Sequence, residues 1–188
     1  MPSGSAPRLS RAGIANIAHQ ILCASSAGRV PNGEDRLCTI WYMKHSTTID
    51  TSASQAQTWQ AVIDVTSWPQ WTDSMTSIEL LDGAPLRVGS RARVRQPKLP
   101  TTIYEVSEFR QGEEFTWVAR SPGVRTTGRH ILTPNPDGTI RITLEVDWTG
   151  PLAPVINAFL SGLTKHYLGM EAAGLRNASL DAGATTTG

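Results

Sequence analysis

The ten residues 139–148, TIRITLEVDW, alternate strictly between apolar and polar side chains. The apolar positions are Ile140, Ile142, Leu144, Val146 and Trp148. Successive side chains of a β-strand point to opposite faces of its sheet. The segment Thr139 to Trp148 therefore predicts an antiparallel strand whose sheet has one dry face and one wet face. We expect a covering layer on the dry face alone.

The segment that follows predicts this cover. From Pro151 to about Leu180, apolar residues recur at the spacing of one helix face, and proline stands near the start, where helices tolerate it. At ~1.5 Å per residue, this helix would be roughly 40 Å long, enough to cross a wide sheet. Gly162, Gly169 and Gly174 are expected to bend it or to admit a close neighbour. The predicted inner stripe consists of Leu152, Val155, Ile156, Phe159, Leu160, Leu163, His166, Tyr167 and Met170.

Strand-like runs separated by turn residues precede this pair of elements. Their short connections predict antiparallel pairing. Together with the segment quoted first, they give seven strands. The predicted strands are His45–Asp50, Ser77–Leu81, Gly89–Arg95, Thr101–Phe109, Glu114–Arg120, Thr126–Leu132 and Thr139–Trp148.

Two short helices are expected after the first strand. The first spans about Ala53 to Val65, and a short helix or turn covers Gln70 to Met75. Ser67-Trp68-Pro69 separates them, because the residue before proline is disfavoured in a helix. Candidate N-caps are Thr51, Ser52 and Ser54, with Gln55 or Gln57 as the capping-box partner.

The composition excludes several classes of protein. The chain has 188 residues, of which 39% are hydrophobic and 18% charged, with a formal net charge of +1, which predicts one globular domain and no binding to nucleic acid. No apolar run approaches the roughly 20 residues of a membrane span, so no stable membrane insertion is expected. The two cysteines, Cys23 and Cys38, are expected to be free thiols, and a cytoplasmic location is the default.

Both ends of the chain differ from its centre. Residues 1–42 show no sustained periodicity, and the texture changes at Met43. Two interpretations stay open for this segment, a flexible N-terminal extension or an upstream reading of the frame with Met43 as the natural start. The domain is expected over residues 43–180, and residues 181–188 are expected to form a disordered tail.

The order of elements, strand, helix, short helix, six strands and long helix, resembles that of the START-like (SRPBCC) superfamily. The closest resemblance is to its polyketide cyclase/dehydrase-type branch. VTSWPQW at 65–71 is similar to the tryptophan-proline-x-tryptophan junction of that branch, and Gly150-Pro151 and the region 170–175 also fit. The resemblance implies an α+β helix-grip fold, in which a curved antiparallel sheet wraps around the C-terminal helix and encloses an apolar cavity.

Strand alternation selects the residues that would face such a cavity. Phe115, Trp117 and Ala119 are expected to point inward, so that Thr116, Val118 and Arg120 point outward. Tyr104 and His130 are the candidate catalytic residues, although a mid-strand histidine more often serves packing. Candidate ligand-binding residues are Trp71, Tyr104, Trp117, Ala119, Gly128, His130, Leu144, Phe159 and Leu163. Glu145 and Asp147 are expected to solubilise the wet face.

No motif indicates a cofactor. There is no glycine-rich phosphate loop or nucleophile elbow. His130 and His166 stand apart from other metal ligands, so no metal site is expected. The resemblance implies a pocket arginine in the aromatase/cyclase members, whereas Arg120 and Arg129 point outward here.

Three functions remain open on this basis. The first is binding of a hydrophobic small molecule, of lipid, polyketide or isoprenoid type, by a carrier, sensor or chaperone. The second is a polyketide cyclase or dehydratase that acts on a ligand in the same cavity. The third is a protein–protein interaction module of the chaperone-activator kind. The expected state is a monomer or a homodimer.

Overall fold

A seven-stranded antiparallel sheet dominates the structure, a computed structural model that describes residues 41–184. Along the sheet the strand order is β1-β7-β6-β5-β4-β3-β2, so the first and last strands are neighbours and all others follow the chain. The strands are β1 (Tyr42–Thr51), β2 (Ser77–Leu80), β3 (Arg91–Arg95), β4 (Thr102–Arg110), β5 (Glu114–Ser121), β6 (Val124–Pro134) and β7 (Ile140–Thr149). The predicted helix-grip sheet is confirmed, with strand ends that differ by up to three residues.

The first helix, α1 (Gln55–Ile63), begins at the predicted capping box. The Ser54 hydroxyl accepts from the Gln57 backbone N–H, and the Gln57 side chain accepts from the Ser54 backbone N–H at 2.9 Å. Two of the unpaired N–H groups at the helix start are thereby satisfied.

The second short helix lies earlier than predicted. A 3₁₀ helix covers Val65–Gln70 and includes Pro69, whereas a short helix or turn was expected over Gln70–Met75, where the chain forms only turns after Gln70. The reason is the burial of Trp68, whose indole N–H donates to the Ala61 carbonyl at 3.3 Å. This anchor holds the chain against the core, and a short 3₁₀ helix is a common connector of this length.

The long helix α2 (Ala153–Ala184) packs across the sheet and contacts β1, β7 and α1. It runs four residues past Leu180, into the segment expected to be a tail. The expectations for residues 1–40 and 185–188 lie outside the described residues. Among residues 41–184, no helix is long and apolar enough to cross a membrane.

The outer face of the sheet is more buried than the alternation of apolar and polar residues predicts. Asp147 is buried, with its carboxylate 3.3 Å from the Arg129 guanidinium. Glu145 pairs with Lys44 at 2.6 Å. These carboxylates are cross-strand ion-pair partners, so the expectation that they merely solubilise a wet face is wrong. Thr116, Val118 and Thr127 on the same face are also buried.

Gly174 allows α2 to approach the segment that follows the 3₁₀ helix. A Cβ atom at Gly174 would lie 2.4 Å from Cε3 of Trp71 and 2.8 Å from its backbone oxygen. Gly169, one turn and a half earlier, has open space where its Cβ would be. The two glycines therefore differ in role, although the sequence alone gives the same expectation for both.

We expect Gly174→Ala to destabilise the domain by about 1–3 kcal/mol, because the new methyl group overlaps Trp71. Gly169→Ala is the matched control and should stabilise it by up to about 1 kcal/mol, since alanine is the better helix former. Urea unfolding measures both. Equal effects at the two positions would show that α2 does not contact Trp71 at Gly174.

The inner face of β7 is tested by introducing a charge. Leu144 is 1% exposed and lies opposite Thr47 and His130, whereas Thr143 lies on the other face and is half-buried. Leu144→Asp should cost several kcal/mol or unfold the domain, because it buries an unpaired carboxylate. Thr143→Asp should cost much less in the same thermal melt. A comparable loss at both positions would contradict the register.

Candidate ligand cavity

A cavity of about 360 Å³ lies between the inner face of the sheet and α2. Its sheet wall comes from β3 to β7 and its opposite wall from the helix. Most of the lining is apolar. The sheet contributes Val94, Tyr104, Ala119, Thr126, Val146 and Trp148, and the loops beyond β3 and β5 add Leu99, Pro100 and Pro122.

The helix wall is narrower than the predicted stripe. Its residues recur mostly every four positions, beginning with Leu152 just before α2 and continuing with Ile156, Leu160, Thr164, Leu168 and Glu171 within it. Phe159 is 81% exposed, and Leu163 is outside the lining, so the prediction that both face the cavity is wrong. Val155 is also exposed, because the first half of α2 is apolar on more than one side and periodicity alone does not select the inner one.

A small chamber of about 50 Å³ adjoins the cavity and contains His130. The imidazole stacks on Phe115 with ring centroids 4.3 Å apart, and Trp68 and Trp117 flank it at 5.1 and 5.4 Å. Its Nδ1 has no hydrogen-bond partner among the described residues. Burial lowers the pKa of His130 to about 3, so the ring is neutral at physiological pH and serves as an aromatic packing group.

Tyr104 stands where the cavity and the chamber meet, since it lines both. Its ring packs on Trp117 at a centroid distance of 4.9 Å. The hydroxyl has no hydrogen-bond partner within the described part of the chain. Burial, reinforced by the charge of Glu171, raises the pKa of Tyr104 to about 12, so the phenol keeps its proton.

Glu171 is a site residue that the sequence analysis did not identify as such. The residue lines both the cavity and the chamber although it is only 7% exposed. The Ser74 hydroxyl donates to Oε1 at 3.0 Å. Burial raises the pKa of Glu171 to about 7, and the hydrogen bond from Ser74 only partly opposes this. The sequence feature that could have identified Glu171 is its spacing, because it follows Leu168 by three residues and so shares the cavity side of α2.

The other predicted ligand-binding residues divide into two groups. Trp117, Gly128 and Leu144 line the small chamber, and Ala119 lines the main cavity. Trp71 borders neither, so its predicted place at the cavity mouth is wrong. It packs on Gly174 and faces an open groove beside Asp64.

No arginine side chain is free to act inside the cavity within residues 41–184. Arg120 is exposed on the outer face. Arg129 borders the small chamber, but its guanidinium pairs with Asp147. The described residues also contain no group of three or more histidine, cysteine or acidic side chains that could hold a metal ion.

A family model described as polyketide cyclase/dehydrase and lipid transport matches residues 43–179. The chain belongs to this family. No curated protein matches it significantly. The fold is that of the START-like superfamily, and together with the family it supports a hydrophobic ligand-binding domain.

Solved structures with the same fold differ widely in sequence. A START superfamily protein from Mycobacterium smegmatis is 19% identical, with a TM-score of 0.57 over 73% of this chain and 97% of that one. A norcoclaurine synthase point mutant from Thalictrum flavum, in complex with a transition-state analogue, is 13% identical, with a TM-score of 0.59 over 74% and 95%. Ara h 8.0201 is 12% identical, with a TM-score of 0.57 over 74% and 99%.

Two of the buried titratable groups, His130 and Glu171, predict opposite slopes of stability against pH. The pKa of His130 is lowered from 6.5 to about 3, so the unfolded chain binds a proton that the folded chain does not, and stability falls as the pH falls through that interval. The pKa of Glu171 is raised from 4.5 to about 7, so the folded chain holds the extra proton, and stability falls as the pH rises through that interval.

Glu171→Gln should therefore remove the loss of folding stability that accompanies ionisation of Glu171 at alkaline pH. At about pH 8 we expect the variant to be more stable than the wild type by up to about 3 kcal/mol, from the size of the pKa change. Glu108→Gln, at an exposed position on β4, is the control and should leave the profile unchanged. A Glu171→Gln profile parallel to the wild type would mean that the Glu171 pKa is not raised.

Proposed function

We propose that the domain binds one hydrophobic small molecule, of lipid, polyketide or isoprenoid type, in the cavity between the sheet and α2, as a carrier, sensor or chaperone. The observation that carries the proposal is the cavity of about 360 Å³ with its largely apolar walls. This volume is within the range of about 300–1,000 Å³ that is typical of small-molecule sites.

The distribution of polar groups favours binding over multistep chemistry. Most polar side chains of the cavity are neutral threonine, serine or glutamine groups, and Glu171 is its only acidic lining residue in the described chain. His130 is held neutral among aromatic rings and stands in the small chamber. A ligand would thus be held mainly by burial of its apolar surface, which contributes about 25 cal/mol per Å².

A cyclase or dehydratase is the second candidate. It is favoured by one observation, that Tyr104, whose hydroxyl has no partner among the described residues, and Glu171 both line the cavity. A positioned acid of this kind contributes roughly a hundredfold or more to a rate. The norcoclaurine synthase with the same fold is an enzyme by name, which supports the view that this architecture tolerates catalysis.

Filling the cavity tests the binding proposal. Ala119→Phe places a ring in the main cavity and should weaken binding of a hydrophobic fluorescent probe at least about tenfold, with no more than about 1–3 kcal/mol of strain. The wild type should bind the probe saturably with a stoichiometry near one. Gly128→Phe is unsuitable, because a Cβ atom there would lie 2.4 Å from Nε1 of Trp117.

Arg120→Phe is the matched control, since it adds the same ring to the next residue of β5 on the exposed face. It should leave probe affinity unchanged. Equal affinity of the Ala119→Phe variant and the wild type would place the probe elsewhere and contradict the proposal. No binding of any probe would remove the carrier and the cyclase together and favour the interaction module. Turnover of a polyketide that falls about a hundredfold in Tyr104→Phe would instead favour the enzyme.

A further inference from the structure

Two polar groups at the junction of the cavity and the small chamber have unused hydrogen-bonding capacity. The Tyr104 hydroxyl has no partner among residues 41–184. Glu171 receives one hydrogen bond, from Ser74 to Oε1, and its Oε2 has none from any described residue. Both residues line both spaces, so a ligand that occupies the cavity and reaches the chamber would contact them together.

The hydrogen bonds among Thr72, Ser74 and Glu171 determine which oxygen of the Glu171 carboxyl group accepts a hydrogen bond and which is free. The Ser74 hydroxyl donates to Oε1 at 3.0 Å, which uses its single proton. The Thr72 hydroxyl, 2.9 Å from the Ser74 oxygen, must then be the donor to Ser74. Oε1 is thus the accepting oxygen of the carboxyl group. When Glu171 is protonated, its proton is on Oε2, the oxygen without a partner.

The surroundings of Glu171 contain no charge that would stabilise its ionised form. The titratable groups around it are Tyr104 on β4, His130 on β6 and Tyr167 on α2, and of these Tyr104 keeps its proton and His130 is neutral at physiological pH. Arg129 and Glu145 also border the chamber, but Arg129 is paired with Asp147 and Glu145 is paired with Lys44. Burial without a counter-charge favours the neutral acid.

Tyr104 and protonated Glu171 are two hydrogen-bond donors that line the same apolar cavity, and they suit a ligand with a hydrogen-bond acceptor. A protonated Glu171 offers O–H from Oε2, and Tyr104 offers its phenolic O–H. A carbonyl oxygen has two lone pairs and accepts both bonds. A cationic amine would instead require Glu171 to ionise, which burial without a counter-charge disfavours.

We propose that Tyr104 and Glu171 together bind the carbonyl oxygen of a hydrophobic ketone, at the inner end of the cavity. This specificity rests on the ligand-binding function proposed above and adds to it the chemical class of the ligand. Ser74 and Thr72 are positioning residues, which hold the Glu171 carboxyl group with its free oxygen toward the cavity.

Three naphthalene derivatives of similar size test this inference by calorimetry. They are methyl naphthyl ketone, its hydrocarbon analogue ethylnaphthalene, and naphthylethylamine, each titrated into the full chain at about pH 5.5 and about pH 8.5, on either side of the Glu171 titration. At the lower pH the ketone should bind about tenfold more tightly than the hydrocarbon, from two hydrogen bonds of ordinary strength. At the higher pH this advantage should fall to about threefold or less, because the ionised Glu171 no longer donates.

The variants separate the two donors. Glu171→Gln retains an acceptor for Ser74 and a donor for the ligand, so it should keep the preference for the ketone and lose its pH dependence. Glu171→Leu should reduce the preference at both pH values to that of Tyr104 alone. Tyr104→Phe should lower ketone affinity about fivefold and leave hydrocarbon affinity unchanged. The infrared C=O stretch of the bound ketone should lie at lower wavenumber in the wild type than in the Tyr104→Phe and Glu171→Leu variants.

The outcomes separate this inference from the proposed function. Binding of ethylnaphthalene with no advantage for the ketone at either pH overturns the inference and leaves the binding function intact. Tightest binding of the amine, with affinity that rises with pH, also overturns it and identifies Glu171 as a counter-ion. Binding of none of the three compounds overturns both.

Discussion

The architecture depends on how α2 covers the apolar face of the sheet. In its second half the helix is in full contact with the core, and Leu168, Ala172 and Leu175 are each less than 5% exposed. In its first half the helix leaves more apolar surface uncovered: Val155 is 51% exposed and Phe159 81% exposed, while Ile156 and Leu160 line the cavity. The second half of the helix, its fixed end, is therefore packed into the core. The first half is held to β1 by the hydrogen bond of 2.8 Å between His45 and Asn157, and it lines the cavity.

Close approach at the fixed end requires Gly174, which lies against Trp71. Trp71 in turn packs on Trp68, with ring centroids 5.7 Å apart, and Trp68 contacts Trp117 at 5.6 Å. A continuous aromatic cluster thus joins the helix end to the centre of the sheet. Dense packing at this end fixes the second half of α2 against the sheet.

The sequence predicts the parts of this structure that local chemistry determines. Alternation in β7 depends only on which side is buried, and the capping box of α1 depends on residues within one turn. Both were therefore predictable. The inner face of α2 was not, because Val155 and Phe159 make a second apolar side that no local rule distinguishes from Ile156 and Leu160. Only the position of the sheet decides between these sides.

Glu171 was missed for a related reason, because a charged residue on a helix is normally assigned to its solvent face. Its location follows from two long-range contacts, with Ser74 ninety-seven residues earlier and with the cavity that β4 walls. A carboxyl group in this place lowers stability whenever it ionises, and an alanine or leucine would fill the site without that penalty. A stability argument alone does not account for it. The proposed recognition of a polar atom in an otherwise apolar ligand accounts for the combination of a buried acid, a hydroxyl relay that orients it and an adjoining cavity of ligand size.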